Sequence, residues 1–154
     1  MYVYVYFGEW YNEDMDPVSD ADGVRQGGSA WFVSASGTPK TVTVAGEVKK
    51  TNHIHTFTES SELISSAFPV PFCPNSADVS WGVSDETQIQ TAYTDERGIT
   101  QMYVYVYFGE WYNEDMDPVA EDEAIAQPGA GFWIILQDAT ETFSEVSPLA
   151  KEAE

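Results

Sequence analysis

The chain has 154 residues, enough to enclose a core, and 43% of them are hydrophobic and 14% aromatic. Six Lys and Arg face 26 Asp and Glu, for a net charge of −20, so neither a basic groove for nucleic acid nor a cationic patch for an anionic membrane surface can be assembled. Cys73 is the single cysteine, which excludes an intrachain disulfide framework, and no apolar run reaches membrane-spanning length.

Residues 1–18, MYVYVYFGEWYNEDMDPV, return unchanged at residues 102–119, a repeat with a period of 101. Each copy opens with Tyr2, Tyr4 and Tyr6 (or Tyr103, Tyr105 and Tyr107) alternating with Val3, Val5 and Phe7. A period of two in aromatic and β-branched residues predicts a strand. Gly8 and the run Asn12-Glu13-Asp14-Met15-Asp16-Pro17 then end it, because Pro lacks a ladder donor and Asn and Asp favour turns. Met1 is matched by Met102 inside the repeat, so it need not be an initiator residue.

Beyond the identical stretch the likeness drops sharply. Between residues 19–34 and 120–135 only Gln26/Gln127 and Gly28/Gly129 are identical, although residue class is held. Further strands are predicted at residues 30–34 and 41–48, separated by Ser36-Gly37-Thr38-Pro39. The middle, residues 49–101, has no internal copy; it predicts strands at 52–58, 62–68, 79–83 and 88–93, then a hairpin through Asp95-Glu96-Arg97-Gly98 into the second copy. No helical period persists for ten residues. The expectation is one all-β domain over residues 1–154, an antiparallel sandwich or barrel of about ten strands. In it, repeat units 1–48 and 102–149 flank the unique middle 49–101, and 150–154 form a short tail.

A Trp-Tyr acidic loop, a Gly-small-aromatic strand and a Thr-rich strand ending in Gly46-Glu47-Val48 resemble repeats of secreted and surface-exposed bacterial proteins. The resemblance spans residues 8–48 and 109–146 and implies β structure and a secreted or cell-surface location; it carries no activity or binding residue.

Three constellations bear chemistry. Asp14, Asp16, Asp20 and Asp22 sit at even spacing around a loop closed by Gly23, oxygen ligands of the kind Ca²⁺ requires, although no bidentate Glu follows at the required distance. Trp10, Tyr11, Trp111 and Tyr112 stand beside acidic loops, where exposed rings could stack on a glycan. His53 and His55 share a strand face, but two imidazoles do not complete a metal site. No Ser-His-Asp set or phosphate loop is visible, so no enzyme is expected. The uncharged, alternating strand Tyr2, Val3, Tyr4, Val5, Tyr6, Phe7 is of the kind that pairs with other strands. The expected function is structural, an extracellular repeat protein associating with copies of itself by β-strand addition. The alternative is a carbohydrate-binding or adhesive module.

Overall fold

The computed structural model describes residues 5–6, 9–19, 26–30, 47–94, 97–138 and 140–150. Among them there is no helix, and the strands are β1 (Val5–Tyr6), β2 (Trp10–Tyr11), β3 (His53–Thr56), β4 (Ser61–Ser65), β5 (Val79–Gly82), β6 (Gln88–Thr94), β7 (Thr100–Tyr107), β8 (Trp111–Tyr112), β9 (Gly131–Ile135) and β10 (Thr142–Glu145). Eight of these make a β-sandwich, with one sheet in the order β3-β10-β5 and the other β4-β9-β6-β7-β8, while β1 and β2 form a separate two-stranded ribbon. All pairings are antiparallel. The strands expected at residues 30–34 and 41–48 fall largely outside the described residues, as do Tyr2, Val3, Tyr4 and Phe7.

The sandwich interleaves two halves of the chain. In one sheet β10 lies between β3 and β5, and in the other β9 lies between β4 and β6. The strands β3 to β6 never pair with one another; each is joined to the sheet by a strand from β7 to β10. Neither half can therefore complete its backbone hydrogen bonding without the other. Residues 26–30 add a further contact, Gly28 bridging Ile64 on the β4 edge while the Ser65 N–H donates to the Gly27 carbonyl at 2.9 Å.

Alternation fills the core. On β9, Phe132 and Ile134 turn inward, on β10 Phe143 and Glu145, on β6 Ile89 and Thr91. Phe143 is the hub, stacked on Trp81 at 5.2 Å and on Phe57 at 5.9 Å, and Phe72 stacks on Phe132 at 4.6 Å to join the sheets. Burying each such ring contributes roughly 1.5–3 kcal/mol, and Phe143→Ala would cost about 3–5 kcal/mol because it also opens a cavity between the sheets.

The β6–β7 hairpin shows which face of the repeated strand is apolar in practice. Ile89 and Thr91, both buried, stand opposite Tyr105 and Tyr103, whereas Gln88 and Gln90 stand opposite Val106 and Val104. Tyr105 and Tyr107 pack on the core, and the valines take the outer face with the glutamines.

Candidate functional site

Where the first copy is described, over residues 5–6 and 9–18, it pairs and turns as the second copy does. Val5 pairs with Tyr11 and Tyr6 with Trp10, and 101 residues later Val106 pairs with Tyr112 and Tyr107 with Trp111. The loop that follows closes on its own asparagine. Asn12 Oδ1 accepts from the Asp14 and Asp16 N–H groups at 3.0 and 2.8 Å, and Asn113 Oδ1 from those of Asp115 and Asp117 at 3.0 and 2.9 Å. Met15 and Met116 occupy the left-handed region at φ 64° and 61°. The Val18 N–H then donates to the Trp10 carbonyl at 2.8 Å, as the Val119 N–H does to that of Trp111 at 2.9 Å. Side-chain geometry repeats as well: the Tyr6 and Trp10 rings lie 5.2 Å apart, those of Tyr107 and Trp111 5.3 Å, both at 56°.

Burial is what differs. Trp111 is 0% exposed and Val119 4%, whereas Trp10 is 44% exposed and Tyr6 59%. The second ribbon is seated in a socket built by residues 72–83. Asn75 Oδ1 accepts from the Trp111 N–H at 2.9 Å, and Asn75 Nδ2 donates to the carbonyls of Trp111 and Val119 at 3.0 and 2.8 Å. Trp81 meets the Trp111 ring edge-on at 4.9 Å and is itself tied down by its Nε1–H donating to the Pro74 carbonyl at 2.8 Å. Nothing in the sequence marks Asn75: it is one of several polar residues, with Ser76 and Asp78, that follow a proline-rich stretch.

The ribbon leaves part of β7 uncovered. β6 pairs with β7 from Thr94↔Thr100 to Gln88↔Val106, but β8 covers only Val106 and Tyr107. Among the described residues, no strand pairs with the outer edge over residues 100–105. Tyr107 turns its N–H to the Thr87 carbonyl and its carbonyl to the Glu86 N–H, toward β6. Alternation therefore turns the main-chain groups of Met102 and Val104 outward. Glu114, from the acidic loop, accepts from the Val104 N–H at 3.1 Å and so places a carboxylate on this edge. From Thr100 to Phe108 the strand itself has no charge.

The other candidate residues are placed as follows. Asp14 and Asp16 are exposed in the Asn12 loop, Asp20 and Asp22 lie outside the described residues, and no cluster of three metal-ligating side chains occurs among those described. Within the loop, Asn12 Oδ1 holds the N–H groups of Asp14 and Asp16. Trp111 is buried and presents no ring face to a sugar; Tyr112 is half-buried, its hydroxyl donating to Glu110 at 2.8 Å. Trp10 is the exposed tryptophan of the two ribbons.

The two histidines face inward, while Ile54 between them is 71% exposed. His55 meets Glu62 at 2.9 Å. Burial pushes the Glu62 carboxyl up, but the Thr58 N–H, the His55 ring and the Glu59 N–H outweigh it and hold the group below its ordinary range. Burial, with His55 and Lys49 as neighbouring positive charge, lowers the pKa of His53. Its ring lies over Gly27, where a Cβ would stand 2.7 Å from Nε2 and where φ is +75°. Cys73 is half-buried, and burial together with Asp122 and Glu123 raises its thiol, which suits a packing residue and not a nucleophile.

One concavity was not foreseen. An open cleft of about 350 Å³ is lined by Tyr93, Tyr103 and Tyr105 with Thr91 and Gln127 among its polar groups.

No family model, curated protein or solved structure matches the chain.

Proposed function

We propose that this is a structural protein of the cell surface or extracellular space that associates with copies of itself by strand addition, the outer edge of β7 accepting a strand from another copy. The observation that supports this reading is the edge itself: an eight-residue uncharged strand paired along one side and covered at only its last two residues on the other. Edges of this length are normally shortened, charged or covered, because their unpaired N–H and C=O groups template another strand. Main-chain bonds would supply the affinity and the alternating side chains the register. Glu114 is then a partial cap on the Val104 N–H, and it tunes how readily the edge is entered. The extracellular assignment rests on the resemblance of the Trp-Tyr loop and Gly-aromatic strand to surface repeats.

Light scattering and negative-stain imaging of the full chain against Glu114→Ala test the reading. Uncapping the edge should lower the concentration at which assemblies form. Two strictly monomeric preparations at high concentration would contradict it.

A second reading, a carbohydrate-binding module, is favoured by the tyrosine-lined cleft, in which three rings and the Gln127 amide offer stacking and hydrogen bonds. A glycan array comparing the parent with Tyr103→Ala separates the two, since binding that depends on Tyr103 without any assembly belongs to the second reading alone.

A further inference from the structure

We infer that the tyrosine-lined cleft binds a small organic cation of the quaternary ammonium class, held against the rings of Tyr93, Tyr103 and Tyr105. This goes beyond both readings above, and a neutral sugar is the competing occupant. Sheet register brings the three rings to one face. Thr91 stands opposite Tyr103 and Ile89 opposite Tyr105, so both tyrosines turn to the inward side of the β6–β7 hairpin, and Tyr93 lies diagonally across from Tyr103 on that same side. Tyr93 and Tyr103 are exposed, while Thr91, between them in register, is buried. β6 pairs with β9 only over Gln88–Gln90, so the hairpin runs on past the strand that flanks it. Much of the remaining lining is small, with Ala124, Ala126, Ala130 and Gly131, which leaves the space between hairpin and loop open. At about 350 Å³ the cleft is at the small end of ligand sites, which suits a molecule the size of choline.

Charge decides the class of ligand. None of the lining residues is charged, and Arg97, the one Lys or Arg between Lys50 and Lys151, lies in the turn of the hairpin and outside the lining. Burial, followed by Glu123, Tyr103 and Glu114, pushes the Tyr105 hydroxyl above its ordinary range, so carboxylates act on the cleft without lining it. The resulting negative potential favours a cation and does nothing for a neutral sugar. The tyrosine faces add to it, because a ring's quadrupole attracts positive charge. Hydrogen bonding then selects among cations. A primary ammonium brings three donors, and the lining holds no carboxylate to take them. A quaternary ammonium brings no N–H and leaves none unpaired.

The full chain is titrated with choline and followed through the ring signals of its tyrosines by NMR. Three controls are run beside it: the neutral analogue in which a tert-butyl group replaces the trimethylammonium, ethanolamine, which keeps the charge but carries N–H donors, and maltose. Choline should saturate the signals at a concentration at least about tenfold below that needed by either analogue. Tyr103→Ala should abolish this preference, whereas Tyr103→Phe, which keeps the ring, should retain it. Tyr93→Ala, at an exposed ring on the opposite strand, repeats the test independently of any effect of Tyr103 on folding. The inference is overturned by equal binding of choline and either analogue, by choline binding that both alanine variants leave unchanged, or by no saturable binding of choline. Saturable binding of maltose without choline also overturns it and gives the cleft to the carbohydrate reading.

Discussion

Asn75 holds the main chain of Trp111 in both directions, accepting from its N–H at 2.9 Å and donating to its carbonyl at 3.0 Å. A third bond reaches the Val119 carbonyl at 2.8 Å, so one amide fixes both ends of the second ribbon's loop against the sandwich. Replacing Asn75 by Ala leaves these half-buried main-chain groups without their partner. The expected loss is about 2–4 kcal/mol of unfolding free energy, set by the cost of stranding polar groups. Urea denaturation measures it; a loss below the scatter of an ordinary surface substitution would mean that water replaces the amide without penalty.

The two loop asparagines make the same bonds in unequal settings. Asn113→Ala should destabilise the fold by about 1–2 kcal/mol, because its loop is coupled to the buried Trp111 and Val119, while Asn12→Ala should change global stability by less than about 0.5 kcal/mol. Local opening of the first ribbon need not unfold the sandwich. Equal effects in a denaturant melt would show that the first ribbon is as firmly seated as the second.

Two titratable groups, the buried Glu145 and the half-buried His53, give pH dependences of opposite sign. Burial raises the Glu145 carboxyl above its ordinary 4.5, against the opposing bonds from the Ala67 N–H and the Ser66 hydroxyl. Between 4.5 and its folded value the native state binds more protons than the unfolded chain, so this contribution to stability falls as pH rises. Glu145→Gln should remove that fall. His53 is lowered from 6.5, so below that pH the unfolded chain binds more protons and stability falls as pH drops. His53→Gln should remove that second loss. Subtracting each variant's pH profile of stability from the parent's isolates the group from the other titratable residues of this acidic chain.

With a net charge of −20, self-repulsion should be relieved by screening, and the melting temperature should rise between low and moderate NaCl. CaCl₂ at matched ionic strength separates screening from binding. A rise that chelator reverses at constant ionic strength would assign Ca²⁺ to Asp14, Asp16 and their neighbours; a rise common to both salts assigns screening alone.

Period-two patterns made much of the fold legible. The β6–β7 hairpin follows from alternation between turn residues and β9 from the likeness of residues 120–135 to 19–34, while the number of strands gives the all-β class and leaves sandwich or barrel open. What the pattern could not supply was direction. Tyr and Val faces of the repeated strand are both apolar, so only the opposing Ile89 and Gln88 decide which one turns inward. On β3 the polar residues His53 and His55 turn in and Ile54 turns out, because ring packing against Phe143 and the Glu62 carboxylate outweigh their polarity. β8, at two residues, is too short to show a period. Trp10 and Trp111 could not be told apart by any reading of their surroundings in sequence, since those surroundings are identical; only the tertiary socket at Asn75 and Trp81 separates them.

If the chain associates along β7, Met102→Pro should prevent it. The Met102 N–H is turned away from β6, so proline there removes an edge donor without breaking the hairpin. Sedimentation velocity across a wide concentration range should show the parent associating and the Met102→Pro chain remaining monomeric, with melting temperatures that agree within a few degrees. A parent that is monomeric throughout, or a Met102→Pro chain that associates as the parent does, would exclude pairing along the β7 edge.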